Sequence, residues 1–494
     1  MGKVGDSIDI NRKTQLQLLI KMMAIIMSLY HLFSIVIGRT EPYFYRFTHL
    51  MLALILGYLL LALKKDGFGK VYSISLAIFT LLLYIYFYLN YERLVVLIPG
   101  MHMLTFWDKA MGVLLIFLIL EGTRRYIGLS LFIISILFLI YIFVSPYLSG
   151  LLYQRGLSFN YVIHYLVYSF GGVFGSPIAV SSSYIVLFLI FGSILSISGV
   201  GEYFIKLATA LAGGARGGPA KVAVLSSALI GTIIGSPSAN VVITGTFTIP
   251  MMKREGFKPD FAAGVEAAAS TGGTILPPIM GSVAFVMADM LGIQYVQVAK
   301  ASFIPALIYF LSILFMVDFY AVKSDIHGLP KHIRPTISDT LKHSYKLAPL
   351  FVIIIMLIKG FSPIFAGLFG IISSLFIGII DKNNRPYFIK ILEALEKAST
   401  TAVQIIIACA VSGLIMGVIS LTGLNGKLTS LILELSGGKE MLILFFLMII
   451  TIILGMGLVI TPVYIMAAAL GAPALISCGF TPVATHLFIL YFAK

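Results

Sequence analysis

Hydrophobic positions along this chain come in blocks rather than in stripes. Apolar runs at 15–37, 48–63, 71–89, 110–121 and 127–148 are separated by short polar loops. The loops read RTEPYFYR, KKDGFGK, a longer one carrying Glu92, Arg93, Asp108 and Lys109, and EGTRR. A helix that is apolar all round is buried or spans a membrane, and about 20 such residues cross a bilayer. The pattern therefore predicts five spans here, and more at 177–198, 301–320, 347–359 and 364–380. A shorter element at 201–212 leads into a central stretch. Two amphipathic segments, 150–175 and 381–400, predict helical arms lying along the interface.

The central stretch runs from Pro219 to Gly292 and departs from that pattern. No charge occurs between Lys221 and Lys253, yet the middle reads Gly235-Ser236-Pro237-Ser238-Ala239-Asn240, the composition of a turn. Each flanking arm has about 15 residues, too few to span. The expectation is a re-entrant hairpin over 219–252: helix in, polar tip at mid-depth, helix out. A second break follows within 258–292, at Thr271-Gly272-Gly273-Thr274-Ile275-Leu276-Pro277-Pro278. Prolines 277 and 278 lack N–H groups, so the carbonyls of Gly273 and Thr274 should lose their helical partners. Irregular backbone at membrane depth is tolerated only inside protein or beside a cavity. Two such breaks, rich in hydroxyls and bare carbonyls, form a candidate cation site. The competing explanation is that Gly and Ser permit close helix packing and Pro kinks.

Part of this pattern recurs. Ser198-Gly199 has a counterpart in Thr422-Gly423, Gly213-Gly214 in Gly437-Gly438 and Gly231 in Gly455, all at an offset of 224. Gly256-Phe257 and Pro259 match Gly479-Phe480 and Pro482 at 223. Weak similarity anchored on glycines, around matching breaks, is the signature of a transporter repeat. The second tip is Gly455–Pro462, where Pro462 frees the carbonyl of Leu458 and Thr461 offers a hydroxyl. It predicts a second cation site or another wall of a substrate site. Thr271 would repeat at 495, past the 494 residues, so the second half is expected to be truncated.

Composition sharpens the class. With 59% hydrophobic and 11% charged residues, this is an all-α polytopic membrane protein without a sizeable soluble domain. The net charge of +14 is a topology signal, not a nucleic-acid one. Lys64, Lys65, Lys70, Arg124 and Arg125 fall on the side of Lys3, Arg12 and Lys13, which predicts a cytoplasmic N-terminus. The polar N-terminal residues, followed by a long span, do not form a cleavable signal peptide. The first spans look poor in polar residues, with Trp107 and many tyrosines as interface anchors, which predicts a structural or docking block.

Isolated polar residues weigh less. Glu266 and Asp289 are intramembrane carboxylates, candidates for ion coupling, but sit near helix ends and are equally expected at the interface. His164 and His486 lack metal-ligand spacing and are expected to be packed, while His327, His332 and His343 are expected in solvent. Cys409 and Cys478 are packing residues.

The run GGPAKVAVLSSALIGTIIGSPSANVVITGTFTIPMMKREGFKPDFAAGVEAAASTGGTILPPIMG resembles the large membrane subunit of tripartite ATP-independent periplasmic (TRAP) transporters. The resemblance covers about 110–494, with a small-subunit-like block before it, as in fused permeases of the TAXI-associated type. Family motifs recur as Gly417–Gly423 and Gly455–Thr461, the latter with Val459 where proline is usual. The fold implied is an inverted-repeat transporter with two re-entrant hairpins and broken helices after a four-span N-terminal block. Its parts would be 1–126, 127–322, a connecting loop 323–346, and 347–494.

The function implied is sodium-coupled, elevator-type uptake of organic acids across the bacterial inner membrane. The acid would be delivered by a periplasmic TAXI-type binding protein, with no cofactor beyond sodium, no transition metal and no nucleic-acid partner. By position, Ser236, Ser238, Asn240, Gly273, Ile275 and Pro278 would form a first sodium site, and Gly457 and Thr461 part of a second. Gly235, Pro237, Thr271, Thr274, Pro277 and Pro462 would line the tips and breaks that meet substrate. A truncated non-transporting scaffold and an intramembrane enzyme are the alternatives.

Overall fold

The computed structural model describes residues 2–38, 41–380, 388–456 and 460–494, with side chains from Thr14 onward. Helices α1 (Gly2–Ile37), α2 (Pro42–Leu63) and α3 (Phe68–Leu89) are followed by the short α4 (Tyr91–Val95), then α5 (Phe106–Tyr126) and α6 (Leu129–Val144). Next come α7 (Phe159–Val167), α8 (Ser176–Val180), a π-helical turn at Ser181–Ile185, and α9 (Val186–Ile197). The central stretch holds α10 (Val200–Ala212), α11 (Gly218–Ile234), α12 (Pro237–Arg254), α13 (Pro259–Gly273), α14 (Ser282–Leu291) and α15 (Tyr295–Lys323). The remainder is α16 (Ile337–Leu341), α17 (Ala348–Ile358), α18 (Pro363–Ile380), α19 (Phe388–Thr422), α20 (Leu424–Ser436), α21 (Glu440–Gly455), α22 (Ile460–Ser477) and α23 (Pro482–Phe492). Nine helices among the described residues are long and apolar enough to cross a bilayer. The chain is an all-α, multi-pass membrane protein, and it folds as two compact units, 1–186 with 396–494, and 187–395.

The first unit packs its aromatic residues around α2. The rings of Phe47 and Phe87 stack at 4.1 Å, and Phe87 stacks on Tyr168 at 5.2 Å. At the start of α5, Thr105 and Asp108 form a reciprocal capping box, which satisfies otherwise orphaned helix N–H groups. Arg93 clamps the buried Asp108 carboxylate at 2.6 and 2.9 Å, and Tyr86 donates to it at 2.7 Å.

This block carries more polarity than its sequence suggested. His31 on α1 and His49 on α2 are fully buried and meet Nε2 to Nδ1 at 2.7 Å. His31 Nδ1 lies 2.9 Å from the Met27 carbonyl, and His49 Nε2 lies 3.1 Å from Ser181 Oγ. The pair was missed because single histidines 18 positions apart in apolar runs carry no periodic signal.

Three predicted elements differ from expectation. Residues 150–175 do not form one arm: α7 has nine residues, and the chain then folds back, Val173 N–H donating to Leu166 O at 2.8 Å. The described part of 381–400 is the opening of the 35-residue α19 rather than a separate arm, and Ala394, Leu395, Ala398 and Ser399 are buried. The span expected at 347–359 is α17, which with the 3-10 turn Ser344–Leu347 running into it makes a helix over Ser344–Ile358, still short of the about 20 residues that cross a bilayer.

The second unit is built on small residues. Ala220, Ala223 and Val224 of α11 and Ala262, Val265 and Ala269 of α13 share a core with Val317 and Ala321 of α15. Small side chains let helix backbones approach closely, the main source of helix association in lipid. The polar segment after α15 docks on the turn between α10 and α11. Leu329 N–H donates to Gly213 O at 2.7 Å and Gly217 N–H to Ile326 O at 3.1 Å.

Candidate functional site

Helices α11 and α12 form a hairpin whose arms have 17 and 18 residues, and neither is among the nine spanning helices. The reversal happens at Gly235, which adopts φ +63°, a left-handed conformation that glycine takes without strain. Ser236 then caps α12 by accepting from Ala239 N–H at 3.4 Å, and Pro237 starts the helix with its ring pre-set to helical φ. The hydroxyls of Ser236 and Ser238 lie 3.3 Å apart at this tip.

Asn240, one turn into α12, is fully buried. Its Nδ2 donates to the Ser227 carbonyl of α11 at 2.8 Å, while its Oδ1 is buried without a hydrogen-bond partner. A buried carboxamide oxygen left unpaired costs about 1–3 kcal/mol and calls for an explanation.

The break between α13 and α14 lies against this tip. A Cβ built on Gly231 would sit 2.6 Å from Gly273 Cα and 2.8 Å from Asn240 Nδ2, so these three groups share one spot. A Cβ on Gly235 would come within 3.1 Å of the Met280 carbonyl. Asn240 and Gly273, two residues assigned to the first sodium site, are thus brought together. Ser236 and Ser238 sit four and two positions before Asn240, on the same tip.

Ile275 is buried, and Thr271 is half-buried with its hydroxyl donating to Ala267 O at 2.8 Å. The Pro277–Pro278 bond is cis, and Pro278 O accepts from Tyr295 O–H at 3.0 Å. The expectation of bare carbonyls at Gly273 and Thr274 is corrected. Thr274 O accepts from Gly281 N–H at 2.7 Å, and Gly273 O from Leu276 N–H at 3.4 Å. The break turns the chain tightly enough that new donors replace those proline removed.

Sequence reasoning placed Glu266 near a helix end, with the interface as an equal expectation. It is instead fully buried among four hydroxyls from three helices. Ser227 of α11 donates to Oε1 at 2.6 Å, Ser270 of α13 donates to Oε1 at 3.1 Å, and Thr248 of α12 donates to Oε2 at 2.5 Å. Thr244 also hydrogen-bonds Oε1. The spacings Thr244–Thr248 and Glu266–Ser270, both i,i+4, are the one sequence signal that could have exposed it. Asp289, by contrast, is exposed in the last turn of α14.

His164 is buried, His486 is buried and lies 2.7 Å from Tyr464 Oη, and the three loop histidines are exposed.

The second half repeats this order of elements. Gly199 and Gly423, 224 positions apart, both adopt left-handed φ and begin α10 and α20, helices of 13 residues each. Gly231, near the end of α11, meets Gly273 at the end of α13. Its counterpart Gly455 ends α21, and a Cβ there would lie 3.3 Å from Ala493 O, just after α23. Thr461 and Pro462 are buried in the first turn of α22, and Gly457 lies outside the described residues.

A multi-pass helical protein in which a hairpin and a broken helix are followed by a second hairpin, flanked by helices in the same order, has the build of a membrane transporter. Residues 114–494 match the family described as the DctM component of tripartite ATP-independent periplasmic transporters, and the chain belongs to that family. It is a transporter component, not an enzyme.

Among curated relatives, it is 23% identical over 300 residues to a putative TRAP transporter large permease protein of Haemophilus influenzae, covering 60% of this chain and 69% of that one. It is 25% identical over 230 residues to the C4-dicarboxylate TRAP transporter large permease protein DctM of Vibrio cholerae, covering 44% and 50%. It is 27% identical over 229 residues to the sialic acid TRAP transporter large permease protein SiaM of the same species, covering 46% and 53%.

Proposed function

We propose that this chain is the permease of a sodium-coupled secondary transporter in the bacterial inner membrane. It would take up a small organic acid handed over by a periplasmic binding protein of the TAXI type. Relatives named for C4-dicarboxylate and sialic acid transport support a carboxylate as the transported group.

The observation that carries the coupling is the unpaired Oδ1 of Asn240, buried beside Gly273 at a tip bearing two serine hydroxyls. Hard oxygen ligands of this kind suit a weakly charged hard cation. Ser236, Ser238 and Asn240, with backbone carbonyls of Gly273, Ile275 and Pro278, form the first sodium site. Pro278 O keeps a second lone pair beside its bond from Tyr295. Thr461 and Gly457 contribute to a second site. Sodium satisfies the unpaired oxygen at the tip, and the hairpin with its broken helix then carries substrate across as a body, with Gly235, Pro237, Thr271, Thr274 and Pro277 at its tips and breaks; Pro462 has that role at the second hairpin. The N-terminus lies in the cytoplasm.

The test is sodium-gradient-driven uptake into proteoliposomes with the binding protein present. Wild-type chain should accumulate substrate only under an inward sodium gradient. Asn240→Ala should lower that uptake by about tenfold or more, the effect of losing one good ligand. Uptake unchanged by removing the gradient would overturn the coupling.

A further inference from the structure

The sodium mechanism leaves Glu266 unused, although it is the one carboxylate that the described structure buries in the core of the second unit. Its partners are four hydroxyls and no cation. The charged and titratable groups on the helices packed around it are engaged elsewhere. Lys221 of α11 and Asp318 of α15 pair at 2.6 Å, and Tyr309 donates to Ala268 O at 2.9 Å. Tyr320 stacks on Phe261, and Tyr295 bonds the carbonyls of Pro278 and Ile279. Lys253 and Arg254 of α12, Asp260 of α13, and Lys300 and Lys323 of α15 are exposed.

We propose that Glu266 is a proton-binding site whose two charge states are both satisfied by the surrounding hydroxyls, and whose occupancy is sensed at Asn240. This rests on the transport function proposed above. As a carboxylate, Glu266 accepts from Ser227, Ser270, Thr244 and Thr248. On protonation, the new O–H on Oε2 donates to Thr248 Oγ1. Thr248 then turns its own proton to the Thr244 carbonyl, 3.0 Å away. Thr244 has the same second choice in the Asn240 carbonyl at 2.8 Å. One proton arrives, one hydroxyl rotates, and no polar group is stranded.

The ligand is a proton rather than a metal ion because each of the four hydroxyls already bonds a Glu266 oxygen directly, with its proton as the bridge. Two links lead to the sodium tip. Ser227, one of the residues that donate to Oε1, also holds Asn240 Nδ2 through its carbonyl, and Thr244 chooses between Oε1 and the Asn240 carbonyl, a choice that a neutral carboxyl shifts towards Asn240.

Infrared difference spectroscopy of the full chain in lipid nanodiscs, titrated from alkaline to acid pH, tests the site without requiring transport. Wild-type should show a protonated-carboxyl carbonyl band that Glu266→Gln lacks. Identical titrations in both chains would overturn the site. Should the Gln variant not be recovered, Glu266→Asp must shift the band or its midpoint, and an unshifted band is equally fatal.

The coupling is read from thermal stabilisation by sodium against choline. In wild-type the half-effective sodium concentration should change by about tenfold across the same pH range, and in Glu266→Gln by less than about twofold. Equal pH dependence in both chains sinks the coupling to Asn240. Absence of any sodium effect sinks the sodium site, and the infrared band still decides the proton site.

Discussion

At the scale of the residue, the site depends on atoms that are missing. Gly231 and Gly273 touch through their backbones because neither has a Cβ, and Asn240 packs against the same contact. Gly231→Ala should therefore cost about 1–3 kcal/mol through overpacking. The expected readouts are a lower melting temperature in detergent and loss of sodium stabilisation. Gly264, also helical but with open space where its Cβ would go, is the control. Gly264→Ala should be neutral or stabilising by about 0.5–1 kcal/mol.

The tips were legible because Gly, Pro and Ser stand out within an uncharged run. The Glu266 cradle was not, since its partners Ser227 and Thr244 come from 39 and 22 positions away and become neighbours only after three helices pack.

At the scale of the element, local signals set helix ends well and helix roles less well. The start of α5 shows both. The Thr105–Asp108 capping box spans three positions but went unread, with Asp108 assigned to a loop, and the clamp from Arg93 depends on the turn after α4. Burial alone would raise the Asp108 carboxyl, but hydrogen bonds from Arg93, Tyr86 and Thr105 outweigh it and hold it well below the usual carboxylate range. A depressed folded-state value means the stabilisation is complete above the ordinary carboxylate range and is lost as pH falls through the folded value. Asp108→Asn should lower stability by about 1–2 kcal/mol at neutral pH. Its melting temperature should also fall less than that of wild-type on acidification, checked by thermal melts across acid pH.

The two interfacial arms were misread for a related reason. Amphipathic periodicity reports that one face is covered, not whether lipid or protein covers it.

At the scale of the molecule, the glycine register was the strongest signal in the chain. The offset of 224 found between Gly199 and Gly423 carries through to the left-handed starts of α10 and α20 and to the close approaches at Gly231 and Gly455. The grouping of residues 1–186 with 396–494 was not legible, because it rests on contacts between segments hundreds of positions apart. If each hairpin serves its own sodium ion, uptake should depend on sodium with a slope above one. Thr461→Ala should lower that slope towards one while keeping residual uptake, measured as initial rate against sodium concentration. An unchanged slope would remove Thr461 from the ion path.

The histidine pair of α1 and α2 has a direction. A carbonyl can only accept, so His31 must carry its proton on Nδ1 to bond Met27 O. With both rings neutral, His31 Nε2 then accepts from His49 Nδ1–H, and His49 Nε2 accepts from the Ser181 hydroxyl. Both imidazoles are thereby fixed as the same, less common tautomer, a fingerprint that nitrogen NMR can read in intact membranes. One added proton would reverse the polarity of the line from His31 Nε2 to Ser181, so the direction of these two hydrogen bonds reports a single charge.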